Sequence, residues 1–438
     1  MMKKFMQSLM LIILLISVII YSSSGIKASQ GSDQVIIDHL EEVRIDQKFE
    51  VEILNLNSDK SYELIIRAED HQGEEWINQK EFIPEIEDYL IAEDKMMELI
   101  QYMEPEPEIT DMYYPPIDDL KDSWDTEILL KKNNQLVNES TINRTYSIAD
   151  IDTREINDGS LIGELFKAPD SETAPGVVVL HGSEGRKSRL RALMLAEHGF
   201  NALAIQYFGP HNELPDQLVE VPIEIVKDAG NWLIENNYSD GNQVGLYGVS
   251  KGGELALLAG SKFDIFRNVV AMVPSGVIME GSSGSAISPG SSWSYQDEPL
   301  DYIPNIRDYE VYSNAYEHGF ASYFTKSLEE ADSQTVEAAT IQIEKIDGSI
   351  LMVSGADDRM WDSETLLQPA EKRLEEYDYH DSFRHLIFEE AGHTIITPYM
   401  PTANRDKVER YIYGGNQKGS ARADAEHWPE VLNTLRDE

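Results

Sequence analysis

Beyond about Ile151 the sequence alternates short apolar runs with amphipathic stretches of helical length, and few folds tolerate that alternation. Leu161 to Phe166, Val177 to Leu180, Ala202 to Ile205, Val244 to Tyr247, Asn268 to Val273, Ile350 to Val353 and Arg384 to Phe388 read as strands. Ser188 to Glu197, Glu220 to Glu235, Gly252 to Ala259, Glu364 to Glu376 and a last stretch near Pro429 to Leu435 read as helices. Strands that are apolar on both faces and separated by helices form a mostly parallel sheet covered on both sides, an α/β architecture. The pattern pauses at Gly281 to Ser294, a Gly/Ser stretch, and through a mixed segment reaching Lys345.

The period is different upstream. Phe49, Val51 and Ile53 alternate with Glu50 and Glu52, and Tyr62, Leu64, Ile66 and Ala68 alternate again. That is the signature of strands with one buried face. A turn signal at Asp70 to Gly73 leads to Trp76, and strand-like runs at Thr126 to Leu130 and Thr141 to Tyr146 flank Asn133-Asn134. The expectation is an all-β, immunoglobulin-like sandwich over residues 30–150, followed by the α/β domain over 151–438. Between the strands, Glu81 to Asp122 is rich in acid and proline and reads as a surface wrap.

Charge and cysteine content narrow the chemistry. With 36 basic and 79 acidic residues among 438, the net charge is −43, which excludes an ordinary nucleic-acid binder because phosphate backbones are neutralised by clustered Lys and Arg. Cysteine is absent, so disulfides, thiol nucleophiles and Cys-ligated zinc are excluded. No H-E-x-x-H metal motif and no phosphate-cradling glycine loop occur, so neither a metal nor a nucleotide cofactor is expected. Lys3 and Lys4 precede an apolar run from Leu9 to Tyr21 and small polar residues from Ser22 to Gly25, with a cleavage point near Ala28. This is a signal-peptide pattern over residues 1–29, implying a secreted or cell-surface protein, membrane-anchored if the segment stays uncleaved.

The residues that carry chemistry begin with Gly248-Val249-Ser250-Lys251-Gly252, a G-x-S-x-G pentapeptide between a strand and a helix. In that context the serine sits on a sharp turn and is a candidate nucleophile. A serine hydroxyl needs a base that is itself oriented by an acid, and in this topology the order is Ser, acid, His, each just after a strand. Asp357-Asp358 follows the strand Ile350 to Val353, and Gly392-His393 follows Arg384 to Phe388. His393 is therefore assigned as base. Asp358 is preferred over Asp357 as the acid from its G-x-x-D spacing. The Lys251 amide, at the start of the helix, and an amide of the loop His181-Gly182-Ser183-Glu184-Gly185 are the candidate oxyanion donors, Ser183 first and Glu184 as the alternative. His181 reads as structural.

The arrangement resembles the family of acyl-CoA thioesterases and bile-acid-CoA:amino-acid N-acyltransferases. The likeness is carried by Tyr62 to Trp76, Gly176 to Gly182, Gly248 to Glu254, Ile343 to Gly348 leading into Ser354 to Asp358, Ala391 to His393, and Gly414-Gly415 through His427-Trp428-Pro429. It implies an immunoglobulin-like domain before an α/β-hydrolase domain, and it places nucleophile, acid and base on Ser250, Asp358 and His393. Family members with serine at the nucleophile are similar to thioester hydrolases, whereas the amino-acid transferases use cysteine, so Ser250 implies water as acceptor. The expected partner is a small-molecule acyl ester or thioester. Arg186, Lys187, Arg189 and Arg191 form the one basic cluster near the mouth that would meet a CoA phosphate, and it also reads as a solvated helix face. The segment 276–345, with Trp293, Tyr295 and Tyr323, is expected to form a lid or acyl pocket. A non-catalytic surface-binding protein and a peptidase on the same scaffold are the competing readings.

Overall fold

A computed structural model describes residues 34–106, 109–169, 174–282 and 290–436. The leader at 1–29 and most of the Gly/Ser stretch, 283–289, lie outside the described residues. Residues Ile36–Glu438 cluster into one compact unit.

Its centre is an eight-stranded sheet built from β1 (Thr153–Asp158), β2 (Leu161–Phe166), β3 (Gly176–Leu180), β4 (Asn201–Gln206), β5 (Val244–Val249), β6 (Phe266–Met272), β7 (Asp347–Gly355) and β8 (Phe383–Phe388). The spatial order is β1-β2-β4-β3-β5-β6-β7-β8, and β2 alone runs against its neighbours. This is the α/β-hydrolase strand order. β2, β3 and β4 are buried almost throughout, and β7 is buried from Gly348 to Gly355, as strands covered on both faces must be. β3 and β5 are neighbours, pairing Leu180 with Gly248, yet the chain leaves them toward opposite edges of the sheet. A reversal of that kind opens a crevice at the carboxyl ends of the strands, where ligands bind in open α/β sheets.

The amino-terminal strands form two further sheets. One joins Glu42–Arg44, Gln135–Thr145, Ser123–Lys132, Tyr62–Glu69, Glu75–Phe82 and Glu104–Glu106 in that order; the other joins Ile36–Asp38, Val51–Leu54 and Tyr89–Ile91. Asn133 and Asn134, at φ 50° and 62°, close the hairpin between Lys132 and Gln135 with the left-handed residues a two-residue turn requires. Asp70 fixes the other turn: its carboxylate accepts the amides of Gln72 and Glu74 and the Trp76 indole N–H, at 2.8, 3.0 and 3.1 Å.

Three expectations change. The acid- and proline-rich stretch is not all surface wrap: it contains the helix Glu93–Gln101, which buries Met96, Met97, Leu99 and Ile100. Its Gln101 side chain donates to the Ala421 carbonyl at 2.9 Å, tying it to the last helix. That last helix spans Gln417–Arg436 with Pro429 inside it, far longer than the stretch near Pro429 to Leu435. Its first twelve residues are mostly polar and small, so no apolar stripe announced them, and a proline reads as a helix boundary. Finally, of the aromatics expected in a lid or acyl pocket, Trp293 is fully buried, Tyr323 is 7% exposed and Tyr295 is half-buried against the core, so none of the three stands out as a flap over the site. The segment instead contributes the helices Tyr309–His318, Ala321–Glu330 and Ser333–Ala339.

Candidate active site

Ser250 stands between β5 and the helix Lys251–Lys262. The Ser250 amide donates to the Met272 carbonyl on β6 at 2.8 Å, and the Ser250 carbonyl accepts from Gly253 and Glu254 at 2.9 and 3.1 Å. Those bonds hold the serine at φ 56°, ψ −121°, a conformation that costs a non-glycine residue about 1–3 kcal/mol and persists only where the surroundings enforce it. The flanking glycines are required by close approach. A Cβ on Gly248 would sit 2.0 Å from the Gly252 carbonyl oxygen, and one on Gly252 would sit 2.2 Å from that of His181. The turn is thereby wedged against the end of β3.

The loops after β7 and β8 bring two more side chains to the same edge. His393 Nε2 lies 3.0 Å from Ser250 Oγ, and its Nδ1 lies 2.9 Å from Asp358 Oδ2. The second oxygen of Asp358 accepts the amides of Met360 and Trp361, at 2.9 and 3.2 Å, so the carboxylate is held from both sides. With the Asp358 side chain fully buried, its contact to Nδ1 is best satisfied by an Nδ1–H donor, which leaves Nε2 as an acceptor for the serine hydroxyl. Tyr413 stacks beside the imidazole and Trp361 meets it edge-on, with ring centroids 6.2 and 6.3 Å away. Asp357, the competing acid, points elsewhere: it accepts the Gly415 amide and the Arg359 guanidinium, each at 2.9 Å, and so fastens the loop that carries Tyr413.

On the other side of Ser250 runs the loop after β3. His181 is fully buried, stacks on Tyr207 with centroids 3.9 Å apart and ring planes within 4°, and places Nδ1 2.7 Å from the Gly182 carbonyl. Burial pushes its pKa down to about 4, so it is a neutral packing histidine. The Gly182 amide donates to Glu184 Oε1 at 3.1 Å, which removes it from the set of free donors. No acceptor holds the Ser183 amide among the described residues. The Lys251 amide is the first of its helix and has no intrahelical partner. Desolvation raises the Glu184 pKa, opposed by its backbone hydrogen bonds and by nearby His393.

Several neighbours escaped the sequence reading. Lys251 is buried and bonds Glu254 at 2.7 Å, its ammonium 5.4 and 5.7 Å from the Trp293 and Trp361 rings. Burial pushes the Lys251 pKa down and the Glu254 pKa up, while each partner resists the other's shift. The i, i+3 spacing of Lys251 and Glu254 was a readable signal; the tryptophans came from distant segments. The basic cluster is divided. Lys187 bonds Glu155 at 2.6 Å, Arg189 bonds Glu164 at 2.6 and 3.0 Å, and Arg191 is buried. Among the described residues no group of three or more His, Asp or Glu is arranged to hold a metal ion.

The fold and this chain of contacts define an α/β hydrolase with a serine, a histidine and an aspartate in hydrogen-bonded sequence. Residues 221–438 match the model of the BAAT / acyl-CoA thioester hydrolase C-terminal domain, and by that domain the chain belongs to the family of acyl-CoA thioesterases and amino-acid N-acyltransferases. Human acyl-coenzyme A thioesterase 6 is 28% identical over 280 residues, covering 62% of each protein. Mouse acyl-coenzyme A amino acid N-acyltransferase 1 is 29% identical over 287 residues, covering 64% of each. The matched region thus spans somewhat less than two thirds of these relatives' length. Among solved structures, a putative dienelactone hydrolase from Klebsiella pneumoniae aligns with 66% of this chain and all of its own at 16% identity, with a TM-score of 0.41.

Proposed function

We propose that the protein is a serine hydrolase that cleaves acyl thioesters, or related acyl esters, through an acyl-Ser250 intermediate. The observation that carries this reading is the unbroken path from Asp358 through His393 to Ser250, with contacts of 2.9 and 3.0 Å. His393 Nε2 takes the proton as Ser250 Oγ attacks the acyl carbonyl. The amides of Lys251 and Ser183 receive the oxyanion, and His393 then protonates the departing thiolate or alkoxide. Water repeats the sequence, with His393 as base, and releases the carboxylic acid and free Ser250. The relatives named above are thioesterases and acyltransferases of acyl-coenzyme A, which supports an acyl thioester as the substrate class. Serine at the nucleophile favours water over an amine as acceptor.

In this reading residues 30–150 are an immunoglobulin-like accessory domain, supported by their two antiparallel-rich sheets, and residues 151–438 are the catalytic domain. Export rests on the leader pattern at the amino terminus. The test is a panel of acyl-CoA and p-nitrophenyl acyl esters presented to wild type and Ser250→Ala. Turnover by wild type with loss of at least about a thousandfold in the variant is expected. Equal, near-background rates in both would refute the reading.

A further inference from the structure

Lys251, the residue that follows the nucleophile, carries its charge where charge is costly. It opens the helix Lys251–Lys262, and the first turn of a helix favours anions over cations. Its side chain is only 8% exposed, and that of its partner Glu254 is fully buried. A buried ion pair is often no more stabilising than apolar residues of similar volume, so stability alone does not account for a lysine at this position.

The ammonium is held by three groups. It donates to Glu254 Oε1 at 2.7 Å, and the same oxygen accepts the Trp293 indole N–H at 2.7 Å. It also lies over the rings of Trp293 and Trp361, 5.4 and 5.7 Å from their centroids. An aromatic face attracts a cation most strongly where water is excluded, and both tryptophans are buried. Lys251 is therefore fixed at both ends, its backbone by the start of the helix and its ammonium by this cage. In the hydrolase reading the amide of this residue receives the oxyanion, so whatever fixes Lys251 also aims that N–H.

Trp361 extends the contact to the other two members of the triad. Its amide donates to Asp358 Oδ1 at 3.2 Å, and its ring meets His393 edge-on with centroids 6.3 Å apart. Its indole N–H donates to the Val273 carbonyl at 2.9 Å, one residue beyond Met272, whose carbonyl holds the Ser250 amide. A single tryptophan thus touches the acid, the base and the end of β6 beside the nucleophile. The ammonium over its ring ties all of these to the residue after Ser250.

We propose that Lys251 is a positioning residue for the hydrolysis: its side chain, held by Glu254 and the two indole rings, aims the Lys251 amide at the oxyanion and, through Trp361, keeps Asp358 and His393 in register with Ser250. The proposal rests on the hydrolase reading and deepens it. The experiment measures the rate at which a fluorophosphonate labels Ser250, together with kcat and KM for p-nitrophenyl butyrate, in full-length wild type, the paired variant Lys251→Met with Glu254→Leu, Lys251→Arg and Trp361→Phe. The paired variant removes both charges at once, so neither is left buried alone. Its labelling rate and kcat are expected to fall about tenfold or more, with KM within about twofold of wild type. Lys251→Arg keeps a cation for Glu254 and the rings and should recover part of that loss. Trp361→Phe keeps a ring beside His393 but offers the cation a weaker face, and should show a smaller loss in the same direction. A paired variant that labels at the wild-type rate would overturn the proposal, as would a change confined to KM. If the paired variant does not fold, Trp361→Phe decides, and a wild-type rate there overturns the proposal. Failure of the hydrolase reading would appear separately, as a wild type that neither labels nor turns over.

Discussion

Gly252 and His181 meet so closely that a single methyl group placed on the glycine would lie 2.2 Å from the histidine's carbonyl oxygen. The contact joins the helix after the serine to the loop that follows β3. It fixes the distance between the nucleophile and the backbone on the oxyanion side. Gly252→Ala should therefore cost about 1–3 kcal/mol or more of stability, since the obstacle is backbone that cannot swing away. Urea unfolding of the variant measures it. A variant as stable as wild type would mean that the elbow is looser than its contacts imply.

The two adjacent aspartates should behave differently. Asp358→Asn removes the acceptor that orients His393, and kcat should fall by about 10³–10⁴. Asp357→Asn loosens the loop at Gly415 and should cost about tenfold or less, through positioning alone. Steady-state kinetics of the pair decides between them. Equal losses would show that the acid is not assigned to one residue.

The buried Lys251–Glu254 pair invites a double-mutant cycle. Removing either partner leaves a desolvated charge, so Lys251→Met and Glu254→Leu should each destabilise by about 3–5 kcal/mol. Replacing both should recover much of the loss. Additive losses in chemical denaturation would contradict a coupled pair.

Two interior histidines weaken the fold in acid. Burial lowers His181 to about 4 and His427 to about 3, against about 6.5 for an unfolded histidine. Below pH 6.5 the unfolded chain binds protons that the folded one refuses, so this stabilisation is present above 6.5 and is lost as pH falls toward 4 and then 3. Urea midpoints taken from pH 7.5 to 4 should decline, and His427→Gln should flatten the slope. An unchanged slope in that variant would remove His427 from the account.

The strand-helix alternation made seven of the sheet's eight strands legible, missing only the mostly exposed edge strand Thr153–Asp158, and strand ends located Ser250, Asp358 and His393, because each lies shortly past an apolar run. What was hidden depends on contacts between distant segments. Nothing local marks Tyr413 as the ring beside His393, or Trp361 as its edge-on neighbour. The basic cluster shows the same limit. Arg189 and Arg191 read as members of one cluster, yet two residues apart on a helix they face different ways, one reaching Glu164 and the other turning inward toward Thr397. The helix Glu93–Gln101 was masked by the acidic residues around its buried Met96, Met97 and Ile100.

The central claim is that the Ser250 hydroxyl is activated by His393. Its most direct measurement is peptide mass mapping after treatment of the folded protein with a fluorophosphonate. The account predicts one covalent adduct, on Ser250, that disappears in Ser250→Ala and is much slower to form in His393→Ala. A folded, unmodified Ser250, or an adduct on a different serine, would contradict it.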